Sequence, residues 1–220
     1  MAVESGSRIP PNNKLGVHEI QQPTSARLNR VRHALGVTRS EVLSDLKVFA
    51  FSGPGLSSVA IDFYQGRSPE ELEYLAFGLI ANIASIKDHL KVWCSATGHA
   101  FEGDHLINTN RAVGLVHGLW NTDKHAVITR SRSGVRPRLS DIRQVMVLSS
   151  GTAPGSGALF TLDPATGQLR VESVGGGSAA LVIDTRVVDE QGGPLGWLQE
   201  LCNEAMTAWE AACKRAGAIK

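Results

Sequence analysis

The chain has 220 residues, 42% of them apolar, a formal net charge of +1 and a mean hydropathy of -0.05. That length and apolar share suit one domain with a real core, and near-neutrality excludes bulk attraction to polyanions or membrane surfaces, so such partners must be read from local clusters. Three cysteines (Cys94, Cys202 and Cys213) with no Cys-x-x-Cys pair exclude a disulfide framework and a structural zinc site.

In chain order, the stretch from Met1 to Lys14 lacks the apolar centre of a secretory signal, and residues 1–22 read as a flexible N-terminal arm. Residues 23–220 then read as a single α+β domain. The first helix is expected over 24–50, with Leu28, Val31, Leu35, Val42, Leu46 and Phe49 apolar, ended by Ser52-Gly53-Pro54-Gly55. Gly36 and the capping-box pattern Thr38-Arg39-Ser40-Glu41 allow for two shorter helices there.

The second helix is expected over 69–97. Ser68-Pro69-Glu70-Glu71 supplies an N-cap, a proline at the first position and a capping-box glutamate. Leu72, Leu75, Leu79, Ile83, Ile86, Leu90 and Trp93 follow at helical spacing up to Gly98, which predicts one element about 40 Å long. A third helix is expected over 104–128, with Leu106, Val113, Val116, Leu119 and Trp120 facing a core.

The period then changes. Strands are expected within 142–188: Ile142 to Leu148, Ala158 to Leu162, Gln168 to Val174 and Ala179 to Val188. Asp163-Pro164-Ala165-Thr166-Gly167 and Gly175-Gly176-Gly177 separate them as turns, which suggests an antiparallel meander of about four strands. Gly151 to Gly157 lacks the Lys-Ser/Thr of a phosphate-binding P-loop and reads as an ordinary loop. The last helix, expected over 195–216, carries Leu198, Leu201, Cys202, Ala205, Trp209, Ala212 and Cys213 on one stripe. Cys202 and Cys213 fall too far apart along it for a disulfide. The fold class is therefore α+β: a helical bundle with a β-meander inserted before its C-terminal helix. No apolar run approaches the roughly 18 residues of a membrane span, and the reading is a cytoplasmic protein without cofactor.

The functional candidates lie between Asn110 and His125. His117, Asn121, Lys124 and His125 are spaced i, i+4, i+7 and i+8, which places them on one helical face. Imidazoles, an amide and an ammonium together suit a phosphate or carboxylate, and a histidine can move protons near neutral pH. From Lys124 to Arg143 stand six cations (Lys124, Arg130, Arg132, Arg136, Arg138 and Arg143) against one acid, Asp141. A basic loop of that kind suits a phosphate backbone such as RNA, although it has no aromatic on which to stack bases. Asp88, His89, His99, Glu102, Asp104 and His105 cluster in sequence, but no pair has the His-x-x-x-His spacing of a helical metal site, and no metal is expected.

Arg111, five intervening residues and His117 resemble the Arg-(four to six residues)-His motif of the HEPN superfamily. Leu119-Trp120-Asn121-Thr122-Asp123-Lys124-His125 also resembles a Leu-Trp-x-x-Asp-Lys-His-Arg signature of uncharacterised bacterial proteins with the same order of helices, strand-rich insert and last helix. The first resemblance implies a metal-independent ribonuclease of toxin or antiphage systems, acting as a homodimer. His117 would assist proton transfer, Arg111 would stabilise charge on the phosphoryl oxygens, and Asn110 and Asn121 would position the phosphate or sugar. Ala112 stands where a polar residue usually follows the arginine, and Ala126 where the second signature has arginine. On an ideal helix, positions six apart point about 120° from each other. The competing expectation is a non-catalytic module of the same fold that binds a ligand or a protein partner.

Overall fold

The computed structural model describes residues 17–40, 47–53, 56–62, 66–124, 134–163 and 169–219. Helix α1 (Val17–Thr38) leads into strand β1 (Arg39–Ser40) and the antiparallel hairpin of β2 (Lys47–Gly53) with β3 (Leu56–Asp62). The expected helix over 24–50 is thus corrected at both ends. It starts earlier, at Val17, so residues 17–22 are helical, while 1–16 lie outside the described residues. From Lys47 the backbone is strand, because Val48, Phe49 and Phe51 are β-favouring residues. Ser52 and Gly53, read as the start of a helix stop, are the last residues of β2, with Gly53 opposite Leu56 of β3; Pro54 and Gly55 lie outside the described residues. Glu41 of the second capping-box pattern lies outside the described residues.

The expected long helix over 69–97 is two. Helix α2 (Pro69–Ala84) starts on the predicted capping box: Ser68 Oγ accepts from Glu71 N at 3.3 Å, and Glu71 Oε2 accepts from Ser68 N at 2.8 Å. Helix α3 (Ile86–Thr97) follows after one residue and ends at Gly98 (φ 77°) as expected. Ser85 makes the break. Its Oγ donates to the Asn82 carbonyl at 3.0 Å, and such back-bonding loosens the backbone ladder. The apolar stripe continues across the break, so periodicity alone did not reveal it. The expected helix over 104–128 is likewise α4 (Gly103–Thr109) and α5 (Arg111–Lys124), divided at Asn110; 125–128 lie outside the described residues.

All four expected strand segments form, but not as one meander. β4 (Arg138–Ser149) pairs antiparallel with β7 (Ser178–Val188), from Ser149 opposite Ser178 to Arg138 opposite Val188. On the other side of β7 lie β1 and β8 (Pro194–Trp197), so β7 is the central strand. β5 (Gly157–Leu162) and β6 (Leu169–Val174) make a separate two-stranded ribbon. It leans on the sheet through Leu169, Ala179 and Leu181, with Met146, Ala158, Phe160 and Val171 packed around them. Helix α6 (Leu198–Arg215) closes the chain; residues 195–197, expected to begin it, belong to β8.

The handover from the sheet to the ribbon depends on glycine. A Cβ on Gly177 would lie 2.4 Å from Gly157 Cα, and one on Gly151 would lie 2.3 Å from the Gly175 carbonyl oxygen. Backbone therefore touches backbone where the two ribbons cross, which explains the glycines at both turns without a phosphate.

The core is shared by the helices and the sheet. Leu28 and Val31 of α1, Ile80 and Ile83 of α2, Trp93 of α3, Val113 and Val116 of α5, Val187 of β7 and the stripe of α6 form one cluster. Trp209 is 1% exposed, and Trp93 Nε1 donates to the Ala216 carbonyl at 2.8 Å across the packed helices. Each such aliphatic or aromatic burial contributes roughly 1.5–3 kcal/mol. All three cysteines are buried in this core, Cys202 and Cys213 on the expected stripe of α6. No helix among the described residues is long and apolar enough to cross a membrane.

The glycine crossing generates a test. Gly177→Ala is expected to cost roughly 1–3 kcal/mol, as an overpacked contact does, and to speed hydrogen exchange in β5 and β6 while the amides of α6 stay protected. Exchange measured by NMR or mass spectrometry, beside a denaturant titration, checks both.

Candidate functional site

The site grows out of the break at Asn110. This residue ends α4, donating its N–H to the Leu106 carbonyl at 2.9 Å, and its extended backbone (φ -100°, ψ 117°) turns the chain. Its side chain then starts α5: Oδ1 accepts from Val113 N at 3.0 Å. Asparagine suits this double role because its amide oxygen reaches an orphan N–H of the first turn. Asn110 is thus a helix cap that also lines a groove.

That groove, with a volume of about 340 Å³, lies between the α4–α5 junction, β8 and the segment before β4. Asn108, Thr109, Asn110 and Arg111 give it a polar rim, and Ile107, Leu115, Val135 and Leu195 give it apolar walls. Arg111 is exposed, and its Nη2 donates to the Leu195 carbonyl. The bond ties α5 to β8 and holds the guanidinium at the rim while engaging only part of its donor set.

Further along α5, Ala112, Val113, Leu115, Val116 and Leu119 are buried. His117 and Asn121 are half-buried and touch: Asn121 Nδ2 lies 3.0 Å from His117 Nδ1. As the amide is placed, it donates to Nδ1, which assigns the neutral ring's proton to Nε2. Pro137 packs over the same helix so closely that a Cβ on Gly118 would sit 2.9 Å from its Cγ. The structure therefore brings Asn110 and Arg111 to one groove and His117 and Asn121 to one hydrogen-bonded pair. Arg111 reaches toward β8, whereas His117 is engaged along its own helix. Lys124 closes α5, and its side chain lies outside the described residues, as does His125.

The basic segment is partly neutralised by its own protein. Arg136 pairs with Glu190 at 3.1 Å and Arg143 with Asp184 at 3.3 Å, while Arg138 is exposed; Arg130 and Arg132 lie outside the described residues. The acidic and imidazole residues around α3 and α4 are also dispersed into pairs. Asp104 meets Lys87 at 2.9 Å, Glu102 meets Arg215 at 3.1 Å, and His99 Nδ1 lies 3.0 Å from Thr97 Oγ1. Among the described residues no three His, Cys, Asp or Glu side chains gather as metal ligands. The cysteine thiols are held in the protonated form: burial pushes the Cys213 thiol up to about 12 and raises those of Cys202 and Cys94.

One cluster joins His89 to residues that sequence reasoning did not connect with it. Arg27 of α1 donates through Nε to His89 Nε2 at 3.1 Å and through Nη1 to Asn82 Oδ1 at 2.8 Å. Burial, then Arg27 and Arg30, hold the His89 imidazole below its ordinary range, against the pull of Asp88. These residues lie on three helices, with Arg27 62 positions from His89 and 55 from Asn82. No local spacing signals them; only the Asp88-His89 pair stood out.

Comparison with family models, with curated proteins and with solved structures finds no match to this chain.

Two outcomes follow from this geometry. Asn110→Ala is expected to lose about 0.5–2 kcal/mol of stability as a removed N-cap, and Asn110→Asp to keep most of it, as denaturant unfolding would show. For His89 the folded ring is harder to protonate than the unfolded one. Its contribution is therefore present above the ordinary histidine range near 6.5 and lost as pH falls below it. Unfolding free energies measured between about pH 7 and about pH 5 should fall toward acid, and fall less steeply in His89→Gln.

Proposed function

We propose that this protein is a non-catalytic binding module for a phosphate-bearing ligand, a nucleotide or an RNA end, received in the groove beside Arg111. The observation that carries this reading is the guanidinium at the rim of a groove whose walls are apolar and whose edge offers amides and a hydroxyl. A guanidinium suits phosphate oxygens in a forked geometry, and apolar walls suit the body of a nucleoside. Asn110 and Arg111 are the contact residues. Asn121 and His117, bonded to each other one turn apart, stiffen the helix that carries them.

The pairing of Asn121 with His117 favours a second reading. An amide that orients an imidazole is what a proton-transfer residue needs, and under that reading the chain is a HEPN-like, metal-independent ribonuclease of a toxin or antiphage system. Because Arg111 and His117 diverge on α5, its active unit is a homodimer in which one protomer supplies the arginine and its partner the histidine.

One experiment separates them. Short oligoribonucleotides and mononucleotides are titrated into the protein in the presence of a chelator, and RNA integrity is followed on gels. Binding without cleavage is expected, weakened about tenfold or more in Arg111→Ala, as loss of a charge-assisted phosphate contact would do, partly kept in Arg111→Lys, and unchanged in His117→Ala. RNA degradation abolished in both Arg111→Ala and His117→Ala would replace the binding reading by the nuclease. Absence of both binding and cleavage would sink the two together.

A further inference from the structure

We infer that Arg27, Arg30 and His89 form a second, separate site for a tetrahedral oxyanion, a phosphoryl or sulfuryl group, where α1 packs against α2 and α3. The starting point is an imbalance of charge. Arg27 is half-buried, yet both of its hydrogen-bond acceptors are neutral: the His89 ring and the Asn82 amide. Among the described residues no carboxylate lies within ion-pair distance of Arg27 or of Arg30, its neighbour one turn along α1. Asp88 on α3 acts on Arg27 and His89 through its field, and α2 contributes the uncharged Asn82. Among the described side chains, two guanidiniums thus stand against one carboxylate, and the partial burial of Arg27 adds to the cost of that positive patch. Mutual repulsion is part of that cost: burial and then Arg30 push the Arg27 guanidinium below its ordinary range.

An oxyanion relieves this arrangement atom by atom. Arg30 is exposed and His89 half-buried, so the patch is reachable from solvent. The bonds to His89 and Asn82 hold the Arg27 guanidinium in one plane, which lowers the ordering cost of a forked contact to two oxygens. The ring accepts at Nε2 in the free protein and so carries its proton on Nδ1. When an anion sits between the two arginines, a second proton on His89 becomes favourable, Nε2 turns from acceptor to donor toward the anion, and Arg27 Nε is released to the same ligand. Proton and anion therefore bind together, each raising the affinity for the other by the same factor. The Arg111 groove lies on α5 and β8, so the two sites fail or succeed separately.

Sulfate is the decisive probe because it does not titrate across the histidine range. The ring resonances of His89 in the full-length protein are followed by NMR from about pH 5 to about pH 8, with tens of millimolar sulfate or with chloride at matched ionic strength. Sulfate is expected to raise the His89 midpoint by about one unit, which corresponds to roughly tenfold tighter anion binding by the protonated form. Arg30→Gln, an exposed position that leaves the Arg27 bonds in place, should abolish the rise, and Arg111→Lys should not alter it. Inorganic phosphate should compete with sulfate, and acetate should not. A midpoint equal in sulfate and chloride, or a rise undiminished in Arg30→Gln, would overturn the site and leave the cluster a purely structural tie between helices.

Discussion

The apolar stripe of α6 is the surface on which the rest of the chain is assembled. Leu198, Leu201, Cys202, Ala205, Trp209, Ala212 and Cys213 follow the helical period on one face and are all buried. Helices α1, α2 and α5 and strand β7 share one core with them. Small residues at Ala205 and Ala212 let neighbours approach, and Trp209 fills the space between. The strand that leads into α6, β8, lies against β7, and its Leu195 carbonyl is within reach of Arg111. The candidate groove is thus a consequence of where the last helix packs, although its polar residues come from the middle of the chain.

The polar chemistry of this protein gathers at interruptions of regular structure. At Asn110 the chain stops one helix and caps the next, which leaves amide, hydroxyl and guanidinium groups at the lip of a groove. At Ser85 the break between α2 and α3 lies close in sequence to both Asn82 and His89, the two partners of Arg27. Helix interiors satisfy their own backbone, so polar groups left available for a ligand collect at ends and at the seams between elements. The glycine crossing between the sheet and the β5–β6 ribbon is a contrasting case. It looks like a ligand loop in one dimension, yet its glycines are required by contact of backbone with backbone.

Particular residues show why some features were legible and others were not. The capping box at Ser68 and Glu71 was readable because cap and partner lie within one turn and their chemistry is local. The β-prone segments from β4 to β7 were readable because alternation is a property of each strand alone. Their pairing was not: whether β7 meets β6 or β4 depends on how the ribbon folds back, and short turns favour the simple meander that the chain does not adopt. The breaks at Ser85 and Asn110 were hidden because the apolar period runs through both. At the candidate site, the i, i+4 contact of Asn121 with His117 followed from spacing, whereas the bond from Arg111 to Leu195 spans 84 positions.

By itself the sequence determined the α+β class, the local caps, the strand-forming segments, the buried stripe of α6 and the polar character of the Asn110–His125 segment. Each of these rests on interactions within a few residues, where residue type and period suffice. The tertiary structure alone decided that β7 is the central strand, that Arg111 joins β8 beside a groove, that Arg136 and Arg143 are neutralised, and that Arg27 faces His89. These depend on packing between elements distant in sequence, where shape complementarity of the core, rather than any local pattern, selects the partner.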